Sequence, residues 1–185
     1  RLDKVCHHLS LPAQSGDDDI LKAMRRGYSV EQYLALVERI RDLIPGIALS
    51  TDVIVGFPGE TEEQFGHTID LLRQLRFDIV HVARYSPRPN TIASRTLEDD
   101  VPSSEKKRRM EKIEQLQEGI ATEINARFLG KRVEVLVEGK KKGKWQGRTG
   151  TDKLVFFSEG ADHLGQLVKV NIEKTSPWSL QGRSN

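Results

Sequence analysis

The sequence predicts an α/β unit followed by a small all-β barrel. Strand-like and helix-like segments alternate from residue 5 to residue 85. One long amphipathic helix then spans residues 103–128. After Gly130 the pattern changes to short β segments separated by turn residues.

The elements follow in order. Val5–Pro12 reads as a short buried strand, with Cys6 as a small core residue within it. Asp17–Arg26 is a short helix whose acidic start suits the helix dipole. Ser29 and Gln32 form a capping box that opens a second helix, reaching Ile44, with Tyr33, Leu36, Val37 and Ile40 on one face. Pro45 and Gly46 stop it, and Ile47–Val55 is apolar and β-rich. A turn over Gly56–Gly59 leads to a second capping box, Thr61 and Gln64. The helix it opens carries Phe65, Ile69, Leu72 and Leu75 on its buried stripe. Phe77–Tyr85 is another strand, and the two prolines of Ser86–Asn90 make an irregular loop. Strands joined by crossover helices run parallel, and three strands are too few to close a barrel, so an edge stays open.

The long helix places Met110, Ile113, Leu116, Ile120, Ile124 and Phe128 at spacings of three or four, opposite a heavily charged face. The β segments beyond it are Arg132–Glu138, Gly143–Thr149, Lys153–Phe157, Gln166–Thr175 and Trp178–Gly182. Five short strands in so short a stretch suit a barrel like the oligonucleotide-binding fold. The domains are therefore 1–127 and 128–185.

Charge divides the same way. Of 185 residues, 1–126 hold 17 Lys and Arg against 21 Asp and Glu, whereas 127–185 hold 12 against 6. A basic tail module on an acidic body suggests that an anion meets the tail. Lys140, Lys141, Lys142, Lys144, Arg148 and Lys153 can neutralise phosphates, and Trp145 and Phe157 offer stacking surfaces. The lysine run also suits a solvated turn. No apolar run approaches the ~20 residues of a membrane span, and no signal peptide is visible. A single cysteine permits no internal disulfide, which fits a reducing cytoplasm, and it cannot alone ligate an iron–sulfur cluster. A start at Arg1 rather than Met points to part of a longer protein.

Two stretches carry candidate chemistry. Asp52–Thr61 reads as a strand ending in a tight turn into a capped helix. Such strand ends face ligands in parallel α/β proteins, and Gly56 and Gly59 allow a flat ligand close to the backbone. A plain strand–turn–helix connection is the competing reading. Leu11–Gly16 with Met24–Arg26 places polar groups at a strand end and arginines one helix later, suited to a ribose and a carboxylate.

Together with Tyr85–Thr91 and Asp100–Pro102, the stretches His8–Gly16, Met24–Arg26 and Ile54–Thr61 closely resemble the methylthiotransferase branch of the radical S-adenosylmethionine (radical SAM) enzymes. Residues 130–183 resemble the RNA-binding TRAM module. Ser10 stands where the family commonly has His, and Asn90 where it commonly has Gly. The resemblance implies the later half of a partial (β/α)6 barrel followed by a TRAM barrel. It implies S-adenosylmethionine as cosubstrate, cleaved to a radical by a [4Fe–4S] cluster, and a second cluster for sulfur insertion; the cysteines for both lie before Arg1. By the same resemblance Gln14 and Asp52 contact the ribose of the cosubstrate, Arg26 its carboxylate, and Ile54 and Gly56 its adenine, with Ser15 also among the cosubstrate-binding residues. Arg88 matches the branch that modifies tRNA. The expected reaction is insertion of a methylthio group at C2 of an N6-isopentenyl adenosine beside the anticodon. This chain would supply cosubstrate contacts and hold the tRNA anticodon stem-loop without catalysing alone. The alternatives are a threonylcarbamoyl-adenosine tRNA, a ribosomal-protein aspartate, or a non-catalytic RNA-binding module.

Overall fold

A computed structural model describes residues 5–158 and 163–184. The chain divides into two compact units. One comprises Ser10–Pro45 and Leu49–Gln117; the other comprises Glu118–Asn185 with residues 1–9 and 46–48. The division falls inside the long helix, ahead of the 127/128 boundary expected from sequence. The helix's last turns, with Ile120 and Ala121 buried, belong to the second unit. There Asn125 donates to the carbonyls of Ser176 and Pro177 at 2.8 and 2.9 Å.

The first unit holds all but the first residue of β2 (Ala48–Val55) and the whole of β3 (Ile79–Arg84); of β1 (His8–Ser10) only Ser10 falls in this unit, and the sheet is ordered β1-β2-β3. β2 and β3 run parallel, with Asp52 level with His81 and Ile54 level with Ala83. Between the strands lie α1 (Asp18–Ala23), α2 (Val30–Leu43) and α3 (Glu62–Leu75). Both expected capping boxes form, at Ser29 with Gln32 and at Thr61 with Gln64. Along β2, Thr51, Val53 and Val55 are fully buried while Asp52 and Ile54 are only half-buried, the period-two signature of a sheet with two different faces. Phe65, Ile69, Leu72 and Leu75 of α3 are buried as the sequence predicts.

Four expectations need correction. Only His8–Ser10 of the first segment is a strand, and it is not buried. It lies at the sheet edge, and Val5 and Cys6 ahead of it are exposed. On α2, Tyr33 and Val37 are buried but Leu36 is exposed. A short helix, α4 (Ile92–Thr96), capped by Thr91, follows the proline loop and was not foreseen. On α5 (Ser103–Ala126) the expected apolar stripe is only part of the inward face: Ile113 and Ile120 are buried and Met110, Leu116, Ile124 and Phe128 half-buried, but Lys106, Arg109, Gln117, Ala121 and Asn125 are buried beside them. Hydrogen bonds make that burial tolerable: Gln117 donates to the Phe77 and Asp78 carbonyls, both at 3.2 Å.

The second unit contains a closed barrel of β4 (Arg132–Lys141), β5 (Lys144–Thr149), β6 (Leu154–Ser158), β7 (Leu167–Thr175) and β8 (Leu180–Ser184). Their order around the barrel is β4-β5-β6-β8-β7. All neighbours are antiparallel except β6 and β8. Val135, Val137, Val155, Val170, Ile172 and Leu180 fill the interior together with Trp145 and Phe157.

Candidate functional site

The first unit holds a cavity of about 890 Å³. Its floor is one face of the sheet, with half-buried Asp52 and Ile54 from β2 and exposed His81 and Ala83 from β3. Gln14 joins them because the chain between β1 and α1 runs against β2. The Gln14 amide donates to the Asp52 carbonyl at 2.8 Å, and its carbonyl accepts from Ile54 at 2.9 Å. Gln14 is held at φ 68°, a left-handed conformation uncommon for a side-chain-bearing residue. Anchors on either side fix it there: Ala13 donates to Thr51 Oγ1 and Gly16 to Thr68 Oγ1, both at 2.9 Å. No hydrogen bond to the side-chain amide of Gln14 or to the Asp52 carboxylate is made by the described residues, so both side chains present polar atoms to the cavity.

The C-terminal end of α1 forms one wall through Lys22, Met24, Arg25 and Arg26. Arg26 N–H returns to the Leu21 carbonyl and Arg25 N–H to that of Lys22, both at 2.9 Å. That pair of bonds is a Schellman stop with Arg25 in its left-handed position, φ 58°. Phe57 and Tyr85 also line the cavity, edge to face with ring centres 5.1 Å apart. Arg88 and Ile92 stand nearby. The loop carrying Arg88 is closed by Thr91, whose Oγ1 donates to the Arg88 carbonyl at 2.9 Å. Asn90 adopts φ 68°, so it occupies the left-handed position where a glycine was the expected residue.

The turn after β2 is clamped from beneath by α5. Gly56 N–H donates to Glu60 Oε2 at 2.6 Å, and Arg109 Nη1 bonds that same oxygen at 2.7 Å and the Glu60 carbonyl at 2.9 Å. Burial pushes the Glu60 carboxyl upward, opposed by the Gly56 amide and the Arg109 guanidinium. A Cβ on Gly56 would lie 2.3 Å from Lys106 Cγ. The missing side chain therefore makes room for Lys106, whose Nζ reaches the Tyr85 carbonyl at 3.3 Å and Asp99 at 2.5 Å.

Of the predicted cosubstrate residues, Gln14, Arg26, Asp52 and Ile54 share this cavity, as does Arg88. Ser15 and Gly56 do not line it. The Ser15 hydroxyl lies 3.4 Å from Thr68 and accepts from Asp17 N–H, and Gly56 serves the turn beneath. His81, Arg84 and Lys22 were missed, although the period-two pattern of β3 could have flagged His81 once its register with Asp52 was known.

In the barrel, Lys140, Lys141, Lys142 and Lys144 are exposed. Lys142 and Gly143, both at positive φ, form the two-residue hairpin turn between β4 and β5. For Trp145, Phe157 and Lys153 the structure differs from the expectation. Trp145 is only 4% exposed and belongs to the barrel core with Phe157, so neither ring is an outer stacking surface; Lys140 Nζ sits 3.9 Å from the Trp145 ring centre. Arg148 is paired with Asp152 at 2.9 Å and Glu138 at 3.8 Å. Lys153 is buried.

Comparison with known proteins sets these features in a family. Residues 1–72 match the radical SAM superfamily and residues 126–184 the TRAM domain. The chain is a radical SAM protein with a TRAM domain. It is 56% identical over 182 residues to the tRNA-2-methylthio-N(6)-dimethylallyladenosine synthase of Dehalococcoides mccartyi strain CBDB1, covering 98% of this chain and 44% of that protein. It is 55% identical over 185 residues to the synthase of the same name from Chloroflexus aurantiacus, covering 98% of this chain and 40% of that protein. The chain thus spans less than half the length of these relatives. The TRAM match coincides with the five-stranded barrel, and the radical SAM match ends within α3.

The family implies two groups that the residues can be tested against. Open carboxylate and amide oxygens on the floor, with a guanidinium at the wall, fit a cosubstrate bearing a diol and a carboxylate. An iron–sulfur cluster does not fit this chain's own donors. Cys6 is the sole cysteine, and no group of three His, Cys, Asp or Glu side chains among the described residues could hold a metal.

Proposed function

We propose that this chain is the cosubstrate-binding and RNA-binding part of a cytoplasmic tRNA methylthiotransferase. Its target is an N6-dimethylallyl (isopentenyl) adenosine beside the anticodon, modified at C2. The observation that carries this is the meeting of Gln14, Asp52 and Arg26 on one cavity, in a chain similar along 98% of its length to synthases named for that nucleoside. In this reading the three-stranded sheet belongs to the later half of a partial (β/α)6 barrel. Asp52 and Gln14 accept and donate to the ribose hydroxyls of S-adenosylmethionine, Arg26 pairs with the methionyl carboxylate, and Ile54 packs on the adenine. Bound S-adenosylmethionine supplies the radical and the methyl group of the reaction. Two [4Fe–4S] clusters are held by residues outside this chain. The barrel lysines bind the anticodon stem-loop through its phosphates. The target base leaves its stack to reach the cavity.

The test is to express the full-length protein in bacteria lacking the methylthio modification and to analyse tRNA nucleosides by mass spectrometry. Appearance of the 2-methylthio form of dimethylallyladenosine is expected. Modification of threonylcarbamoyl-adenosine, or of a ribosomal-protein aspartate, with dimethylallyladenosine untouched would overturn the assignment of substrate.

A further inference from the structure

We propose that the mouth of the cavity is a phosphate clamp for single-stranded RNA, formed by Lys22, Arg25, Arg84 and Arg88 and separate from the lysines of the barrel turn. The inference rests on the reading of the chain as part of a tRNA-modifying enzyme. With Arg26 assigned to the cosubstrate, these four cations remain around an opening whose only acidic lining residue among the described residues is Asp52. They gather there although residues 1–126 as a whole are more acidic than basic.

All four are exposed, and none takes part in an ion pair among the described residues. The cations of α5 behave differently. Lys106, Lys107, Arg108, Arg109 and Lys112 each lie within ion-pair distance of a carboxylate. A cluster of like charges left unpaired on an acidic body is unfavourable by itself and is relieved by an anionic ligand.

Arg25 gives a second, independent sign. It occupies the left-handed position of the Schellman stop, where glycine or asparagine is at ease and a long side chain is disfavoured. Arg25 therefore occupies a backbone position that does not favour it, in return for a place on the cavity wall. The negative end of α1 explains a cation at Lys22 or Arg25. It does not explain Arg84 at the end of β3 or Arg88 in the following loop. Cations from two separate chain segments, 22–25 and 84–88, thus meet around one opening. A base drawn into the cavity would leave its flanking phosphates at this rim, where guanidinium groups bind them in a fork.

The experiment measures binding of an anticodon stem-loop RNA to the full-length protein by fluorescence anisotropy across a salt series. Calorimetry of S-adenosylmethionine binding runs in parallel. The variant Arg25→Gly, Arg84→Gln removes two cations, and the glycine suits the left-handed position, so the fold does not suffer. Each phosphate contact to a single strand contributes roughly 0.7 to the log–log salt slope, so the double variant should flatten it by about 1.4. Cosubstrate affinity should hold and thermal stability should not fall. An unchanged slope overturns the clamp while leaving the tRNA reading intact. Lost cosubstrate affinity with an unchanged slope also overturns it, and assigns the rim to the cosubstrate instead. Failure of the unaltered protein to bind the RNA at any salt concentration overturns the tRNA reading and the clamp together.

Discussion

Asp52 reaches the cavity because β2 alternates: its neighbours Thr51 and Val53 are buried, and its own side chain faces the other way. That much is legible in the sequence, since Asp52 is the one charged residue of Ile47–Val55, which ends in the Gly56 turn. In the full-length protein Asp52→Ala should weaken S-adenosylmethionine binding by about 1–3 kcal/mol, the cost of leaving a partner unpaired. Calorimetry giving unchanged affinity would remove Asp52 from the site. The bond from Arg109 to Glu60 could not be read in advance, because 49 residues separate the pair and Arg109 sits in a run of charges that resembles a solvated face. Arg109→Met leaves a buried carboxylate without its cation. It should cost roughly 3–5 kcal/mol in denaturant unfolding, and adding Glu60→Gln should recover part of that. A cost below one kcal/mol would show that the pair does not brace the turn.

Helix α5 shows where reading by apolar spacing stops. The apolar stripe supplies Ile113 and Ile120 to the buried positions, yet Lys106, Arg109, Gln117 and Asn125 are buried as well and become intelligible only when their partners on other segments are known. Its first turns also carry a pH dependence. Hydrogen bonds from Arg108, then from Arg109, hold the Glu105 carboxyl down to about 2, against an ordinary value of 4.5. The unfolded chain takes up this proton first as pH falls. The stabilisation is therefore complete above about pH 4.5 and is lost progressively toward pH 2. Melting temperatures over that window should drop more steeply for the unaltered protein than for Glu105→Gln; parallel curves would discard the pairing. The β4–β5 hairpin was legible as a lysine-rich turn. Lys140→Glu, Lys141→Glu and Lys142→Glu together should weaken binding to RNAs of different sequence about equally, because phosphates carry no base information. Sequence-dependent losses in a binding assay would point to base contacts. The aromatic rings of this element were harder to place. A tryptophan in a basic strand suits either a stacking surface or a core, and only the closed barrel puts Trp145 inside.

For the chain as a whole, strand–helix alternation and the change of period after Gly130 were enough to foresee both kinds of unit. The composition of the cavity wall was not, since Lys22, His81 and Arg84 come from segments whose meeting depends on sheet order. With Cys6 as its one cysteine, the 185-residue chain alone should bind no iron–sulfur cluster. Anaerobic reconstitution should leave it colourless and without stoichiometric iron, and a visible-absorbing cluster would contradict this. The strand order of the barrel also bears on how the molecule is made. β8 comes last in the chain, yet it sits between β6 and β7. As the polypeptide emerges from the ribosome, β4, β5, β6 and β7 appear first and can pair only as an open ribbon. Until β8 arrives, β6 and β7 each show an unsatisfied edge, the kind of surface that recruits strands from other chains. The interval before β8 emerges is thus the period when nascent chains are most prone to associate. A message truncated ahead of Leu180 would extend it indefinitely.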